Sequence, residues 1–325
     1  MPAFEPSGTP KRATLQARSI SRSVREALDD TSFPGQVIAV YDRACALEFP
    51  GGNLFSLVLP VIGDGPLNVV LEDLRRALAA VNPAQEVRVL DQWLDLGDLK
   101  ISLAGATTWE PSPQWEYLRG RRKAIAGHLH HLEAYAVGRA NASSLFRLVL
   151  ADSGRGRPVS ALSCPTGSFH STRGPAAVDE ALHSVAFEAA LRLRTGWESD
   201  AALLQVGAQQ LAGLGCGLTP AGDDFLCGVM LWTWLAHPDP QPCCEAMLKA
   251  TTSRTTKFSA ALLRAAAAGQ CSAPWHHLFA ILERGEMQHL GAAVEGVLSY
   301  GHTSGADALA GFLWMSVGLP KSLAM

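Results

Sequence analysis

The sequence predicts an α+β protein, with an N-terminal β-rich lobe followed by a mostly helical C-terminal lobe. Three observations carry this. Residues 35–103 set short apolar and β-branched runs between Pro, Gly and Asn turns. Near residue 113 the spacing of apolar positions becomes helical. From about residue 176 onward, alanine-rich runs of helix length are punctuated by glycine. The expected organisation is an N-terminal arm over 1–34, a β-rich lobe over 35–112 and a helical lobe over 113–325.

Within the arm, residues 11–28 are Arg- and Ser-rich and only weakly amphipathic, which predicts a frayed segment and then a short helix. The run Gln36–Phe49 reads as β structure, and Pro50–Asn53 as a turn. Leu54–Ile62 reads as strand, Gly63–Pro66 as a turn and Leu67–Leu71 as strand, before a short helix over Leu74–Val81 and further strand over Val87–Leu96. Leu118, Ile125, Leu129, Leu132 and Tyr135 give Gln114–Arg139 helical spacing. Asp152–Pro158 and Ser163–Pro175 read as loops. Helices are then expected over Ala176–Leu193, Asp200–Leu211, Asp223–Ala236, Gln241–Thr251, Ser259–Ala268, Pro274–Arg284, Met287–Ser299 and Gly305–Val317.

Composition narrows the function. Of 325 residues, 48% are hydrophobic and 18% charged, enough apolar mass for a sizeable core and against a disordered chain. A formal net charge of -3 offers no broad basic field, which argues against nucleic acid. No apolar run approaches the roughly 18 residues of a membrane span, and none near the N-terminus suits a signal peptide. A cytoplasmic protein with no membrane partner is expected. The seven cysteines are odd in number and lack Cys-x-x-Cys spacing, so buried reduced thiols are expected.

Three polar loops in the C-terminal half could carry chemistry. The first is Gly213–Asp224 (GLGCGLTPAGDD). Thr219 suits an N-cap and Pro220 the first helical position. The helix that follows is apolar on all faces and therefore buried. Asp223 and Asp224 then fall in its first turn. The helix dipole accounts for one such acid. Two adjacent carboxylates at a buried terminus call for a cation, several donors or a shifted pKa. Gly215, Gly217 and Gly222 would let backbone approach a small ligand. The second loop is Thr251–Ser259, in which Arg254, Thr255, Thr256 and Ser259 precede a helix and suit an anion. The third is Gly301–Asp307 (GHTSGAD). Here Ser304 and Asp307 imitate a capping box, Gly305 is small, Thr303 adds a hydroxyl, and His302 could act as a general acid or base.

Together these loops resemble the AllH (YlbF) family, through Gly217–Asp224, Thr255–Ser259 and Gly301–Asp307 in that order, with a looser likeness at Gly65–Asn68. The resemblance covers roughly residues 35–317. It implies one subunit of an oxamate carbamoyltransferase working with AllF-like and AllG-like subunits. That system converts oxalurate and phosphate into oxamate and carbamoyl phosphate in allantoin catabolism. On that reading Arg254, Thr255, Thr256 and Ser259 hold the anion. Asp223, Asp224 and Asp307 hold Mg²⁺ or orient a cationic group, with Asp223 and Asp224 as the metal ligands. His302 or a backbone N–H polarises the carbamoyl carbonyl, and no organic cofactor is expected. Two alternatives stand beside it: a metal-dependent amide or ureide hydrolase, and a non-catalytic assembly subunit.

Overall fold

The computed structural model describes residues 13–30, 33–73, 78, 81–152 and 175–316. The chain divides into two compact units, Met1–Pro111 and Ser112–Met325.

In the first unit nine strands form one sheet: β1 (Ala13–Ser21), β2 (Gly35–Val40), β3 (Ala44–Phe49), β4 (Asn53–Val58), β5 (Asn68–Leu71), β6 (Glu86–Leu90), β7 (Trp93–Leu96), β8 (Leu99–Ser102) and β9 (Thr107–Trp109). Their order is β5-β4-β3-β2-β6-β7-β8-β1-β9, and β1 also pairs antiparallel with β5. The first eight therefore close into a barrel, which leaves no open edge among them. Residues Ala13–Gln16 of β1 run parallel to β8, and Ser19–Ser21 run parallel to β9. The interior is filled by side chains such as Leu47, Leu57, Val87 and Ile101, all fully buried. Turn chemistry sets the register. Gly51 and Gly52, between β3 and β4, have φ of 81° and 79°, a region open to glycine. Gly97, between β7 and β8, donates its N–H to the Asp95 carboxylate at 2.9 Å.

The arm expected over 1–34 is corrected here. Residues 13–21 are a barrel strand with neighbours on both sides, and helix α1 (Arg22–Asp29) packs beside it. Residues 1–12 lie outside the described part, as does most of the helix expected over Leu74–Val81.

The second unit is helical: α2 (Trp115–Gly120), α3 (Arg122–Val137), α4 (Phe146–Asp152), α5 (Pro175–Ser199), α6 (Ala201–Leu211), α7 (Ala221–Ala236), α8 (Pro240–Thr251), α9 (Lys257–Ala267), α10 (Ala273–Arg284), α11 (Leu290–Leu298) and α12 (Ser304–Ser316). The single helix expected over Gln114–Arg139 is broken at Arg121, whose φ of -100° and ψ of 6° are not helical. The loop expected over Ser163–Pro175 lies almost wholly outside the described residues. At the centre α7 crosses α12. Gly228 of α7 faces Ala308, where an added Cβ would lie 1.8 Å from the carbonyl oxygen. Gly311 of α12 faces Phe225, where a Cβ would lie 1.9 Å from the carbonyl oxygen. Missing side chains at both positions let the two backbones touch. The apolar pattern all round α7 is thereby explained: Phe225, Met230 and Trp232 are fully buried. Among the described residues no helix is long and apolar enough to cross a membrane.

Candidate functional site

The crossing of α7 and α12 brings two helix starts together, and the loops before them follow. The loop entering α7 turns through Gly213, Gly215 and Gly217, with φ of 70°, 113° and 99°. It lies flat because Gly213 is pressed against Arg254, where a Cβ would meet the carbonyl oxygen at 2.4 Å. Gly222 is pressed against Leu211, with the corresponding distance 2.0 Å. Thr219 was expected to cap α7, with Pro220 at the first helical position; instead Pro220 is the cap residue and no side chain caps the helix. The reason is that the Thr219 hydroxyl is engaged with the Ser304 hydroxyl, 3.0 Å away at the start of α12.

Asp223 and Asp224 both fall in the first turn of α7, and their surroundings differ. Asp223 is 0% exposed. One carboxylate oxygen accepts from the Gly213 N–H at 3.0 Å. The other accepts from the Thr255 hydroxyl and from the Ser259 hydroxyl, the latter at 2.9 Å. Asp223 therefore pins the glycine loop to the turn before α9, and its donors compensate its burial. That turn is closed further by Thr256, which caps α9 by accepting from the Ser259 N–H at 3.0 Å and donates to the Leu218 carbonyl at 2.6 Å.

Asp224 is 7% exposed, and one of its oxygens has no hydrogen-bond partner. Burial pushes its carboxyl well above the usual range. The Ser304 and Thr219 hydroxyls oppose this by hydrogen bonding, while the charges of Asp307 and Asp223 add to the rise. Asp307, in the first turn of α12, is 0% exposed and likewise has one oxygen without a partner. Its other oxygen accepts from the Leu145 N–H at 2.6 Å. Burial pushes this carboxyl up to about 6, against the Leu145 N–H, the Thr303 hydroxyl and the charge of His183. The capping box expected between Ser304 and Asp307 is thus not what Asp307 makes with this oxygen. The Tyr300 hydroxyl is pushed up to about 12 by burial first, then by the charges of Asp224 and Cys227.

The structure separates the remaining expected residues. His302 is exposed, and the Asn141 amide donates to its carbonyl at 3.4 Å and lies 3.3 Å from Nε2. Thr303 and Ser304 lie between it and Asp307, half-buried, and Gly305 is buried, where a Cβ would stand 1.9 Å from the Val297 carbonyl oxygen. Arg254 is exposed, and its guanidinium donates to the Gln209 side-chain oxygen on α6 at 3.1 and 3.2 Å. Thr255, Thr256 and Ser259 spend their hydroxyls on Asp223 and Leu218, as above. Among the described residues no group of three or more His, Cys, Asp or Glu is placed to hold a metal ion. Of the thiols expected to be buried, Cys216 is exposed on the glycine loop, and Cys164 lies outside the described residues.

Residues absent from the sequence reading complete the site. The turn between α3 and α4 supplies Asn141 to His302 and the Leu145 N–H to Asp307. His183, on α5, is 5% exposed and reaches the Ser144 carbonyl. A signal for it existed. His183 stands three residues before Ala186 and seven before Ala190, in line with Leu193 and Trp197, so it is a polar residue on the buried stripe of its helix.

What the arrangement offers is two carboxyls of raised proton affinity, side by side at two positive helix ends, with hydroxyls between them and an imidazole at the rim. Comparison with known proteins adds the following. Residues 211–316 match the family model described as oxamate carbamoyltransferase subunit AllH, and residues 16–108 match the AllH family N-terminal domain. No solved structure matches the chain.

Proposed function

Because this chain belongs to the AllH family, we propose that it is the subunit of a carbamoyltransferase that contributes acid–base groups to transfer between a ureido acid and phosphate. The substrate pair is oxalurate, or a related N-carbamoyl acid, and inorganic phosphate; the products are oxamate and carbamoyl phosphate. AllF-like and AllG-like subunits are the expected partners.

The observation that carries this reading is the pair of unpartnered oxygens on Asp224 and Asp307. In the forward reaction a phosphate oxygen bonds to the carbamoyl carbon, the bond from that carbon to the oxamate nitrogen breaks, and one proton moves from phosphate to that nitrogen. Two carboxyls with different proton affinities suit the two ends of that transfer. Asp307, pushed up to about 6, is mostly ionised at neutral pH and accepts the phosphate proton. Asp224, whose carboxyl burial pushes well above the usual carboxylate range, serves as the donor to the leaving nitrogen. The Thr219 and Ser304 hydroxyls and His302 orient the carbamoyl oxygen as charge builds on it. The carboxylates disfavour a bare phosphate beside them. Mg²⁺ carried on the phosphate oxygens of the substrate would relieve this.

The assembly-subunit reading has its own support: Asp223, Thr255, Thr256 and Ser259 all bond within the fold. One experiment separates the two. The chain is co-purified with AllF-like and AllG-like partners, and carbamoyl phosphate formed from oxalurate and phosphate is measured, with and without EDTA. Asp224→Asn should lower turnover by about 100-fold or more without dissolving the complex. Full turnover in both Asp224→Asn and Asp307→Asn, in an intact complex, would place the chemistry on another subunit.

A further inference from the structure

We propose that His183 is a positioning residue, which orients and polarises Asp307 through the single peptide group joining Ser144 to Leu145. The two ends of that peptide carry the two contacts. The His183 Nε2 lies 3.2 Å from the Ser144 carbonyl oxygen. A carbonyl oxygen only accepts, so Nε2 carries the hydrogen and donates. At the other end, the Leu145 N–H donates to Asp307 at 2.6 Å. A donor on the carbonyl oxygen draws electron density along the conjugated O–C–N unit and leaves the N–H a stronger donor. Chain segments far apart in sequence are thus joined by one rigid plane.

The plane is held still. Ser144 is 0% exposed. Its N–H donates to the Asn141 carbonyl at 3.0 Å and its hydroxyl to the same oxygen at 2.6 Å. The same turn touches His302 through Asn141, so His183 sits behind a turn that contacts both titratable sides of the site. Facing Asp307 are the Leu145 N–H, the Thr303 hydroxyl, His183 and the Asp224 carboxyl. Only His183 among these sends its effect through the peptide. A histidine on the alanine stripe of α5 fills space no better than an apolar side chain, and its burial is matched to the Ser144 carbonyl.

The effect on carbamoyl transfer rests on the function proposed above; the hydrogen-bond relay does not. The test therefore reads the proton on Asp307 directly. Full-length protein carrying ¹³C-labelled aspartate carboxyls is titrated by NMR, and the Asp307 signal is assigned by its loss in Asp307→Asn. In His183→Phe the Asp307 midpoint should rise by about half a pH unit, the size expected when one neutral hydrogen bond is weakened. His183→Gln, whose amide N–H can reach the same carbonyl, should restore most of the shift. An unmoved midpoint in His183→Phe overturns the relay. So does a His183→Gln variant that behaves as His183→Phe, because the imidazole charge would then be acting through space. Should His183→Phe not fold, the wild-type protein carries the test: the His183 Nε2–H resonance must move as Asp307 titrates, and a stationary resonance overturns the relay. Neither readout needs turnover, so failure here leaves the transferase reading standing, and loss of that reading leaves this one testable.

Discussion

Asp307 costs the folded protein stability once it ionises, and pH exposes that cost. Its carboxyl is raised from the usual carboxylate range to about 6 by burial. A raised acid binds its proton more tightly folded than unfolded. Its contribution is fully present below the unfolded value and is lost as pH rises through the folded one. A rise of this size corresponds to about 3 kcal/mol of stability lost between about pH 4 and pH 6. Asp307→Asn carries no such proton, so its urea-unfolding free energy should be flatter across that window. The two proteins should be most alike at the acid end, where Asp307 is protonated, and differ most above about pH 6. Parallel curves for variant and wild type would show that Asp307 is not raised. That two acids would stand in the first turn of α7 was legible, because a Pro-Ala-Gly-Asp-Asp run precedes an apolar helix. Their division of labour was not. It depends on donors from Gly213, Thr255 and Ser259 reaching Asp223, while Asp224 and Asp307 each keep one oxygen without a partner. His183 and Ser144 escaped notice because neither belongs to a motif and their partners are remote in the chain.

The element that places both acids is the α7–α12 crossing, and its closeness rests on glycine. Alanine is the better helix former by about 1 kcal/mol, so on propensity alone Gly228→Ala would stabilise α7. The new methyl, however, would fall 1.8 Å from the Ala308 carbonyl oxygen, which belongs to a backbone that cannot rotate away. Overpacking of this kind costs about 3 kcal/mol, and it wins. Gly228→Ala should therefore lower the unfolding midpoint and weaken the Thr219–Ser304 contact at the two helix starts. Gly296→Ala in α11 is the control, since its nearest neighbour would be the Pro274 Cβ at 3.7 Å, an ordinary contact. That variant should match or slightly exceed wild type. Equal midpoints for both variants would mean the crossing relaxes freely. The sequence makes α7 readable as buried, through apolar residues on every face. It does not say which helix buries it, because a glycine that meets a backbone looks the same as one that meets solvent. Nor could the cap be read: Thr219 has N-cap chemistry, but its hydroxyl goes to Ser304.

At the scale of the molecule, the two units have separate hydrophobic cores, one drawn from residues up to Ala106 and the other from Trp115 onward. The barrel depends on its first strand more than its composition suggests. Residues of β1 pair with β5, β8 and β9, so removing β1 opens three ladders and leaves β5 and β8 as bare edges. The strand was hidden in the sequence because its buried positions, Ala17, Ser19, Ile20 and Ser21, are mostly small or polar and give no apolar alternation. Closure is equally silent in the sequence, since it depends on Ala17 finding Leu71 across the intervening chain. A protein lacking residues 1–21 should lose the barrel while the helical unit keeps its own cooperative transition, because none of the helical core comes from the deleted segment. Calorimetry with limited proteolysis reads both at once: cleavage within 22–111 and survival of a fragment near 112–325. The fragment should still show the raised Asp307 titration, since Leu145, Thr303 and His183 all lie inside it. A helical unit that melts together with the opened barrel would show instead that the acid pair depends on the barrel for its fold.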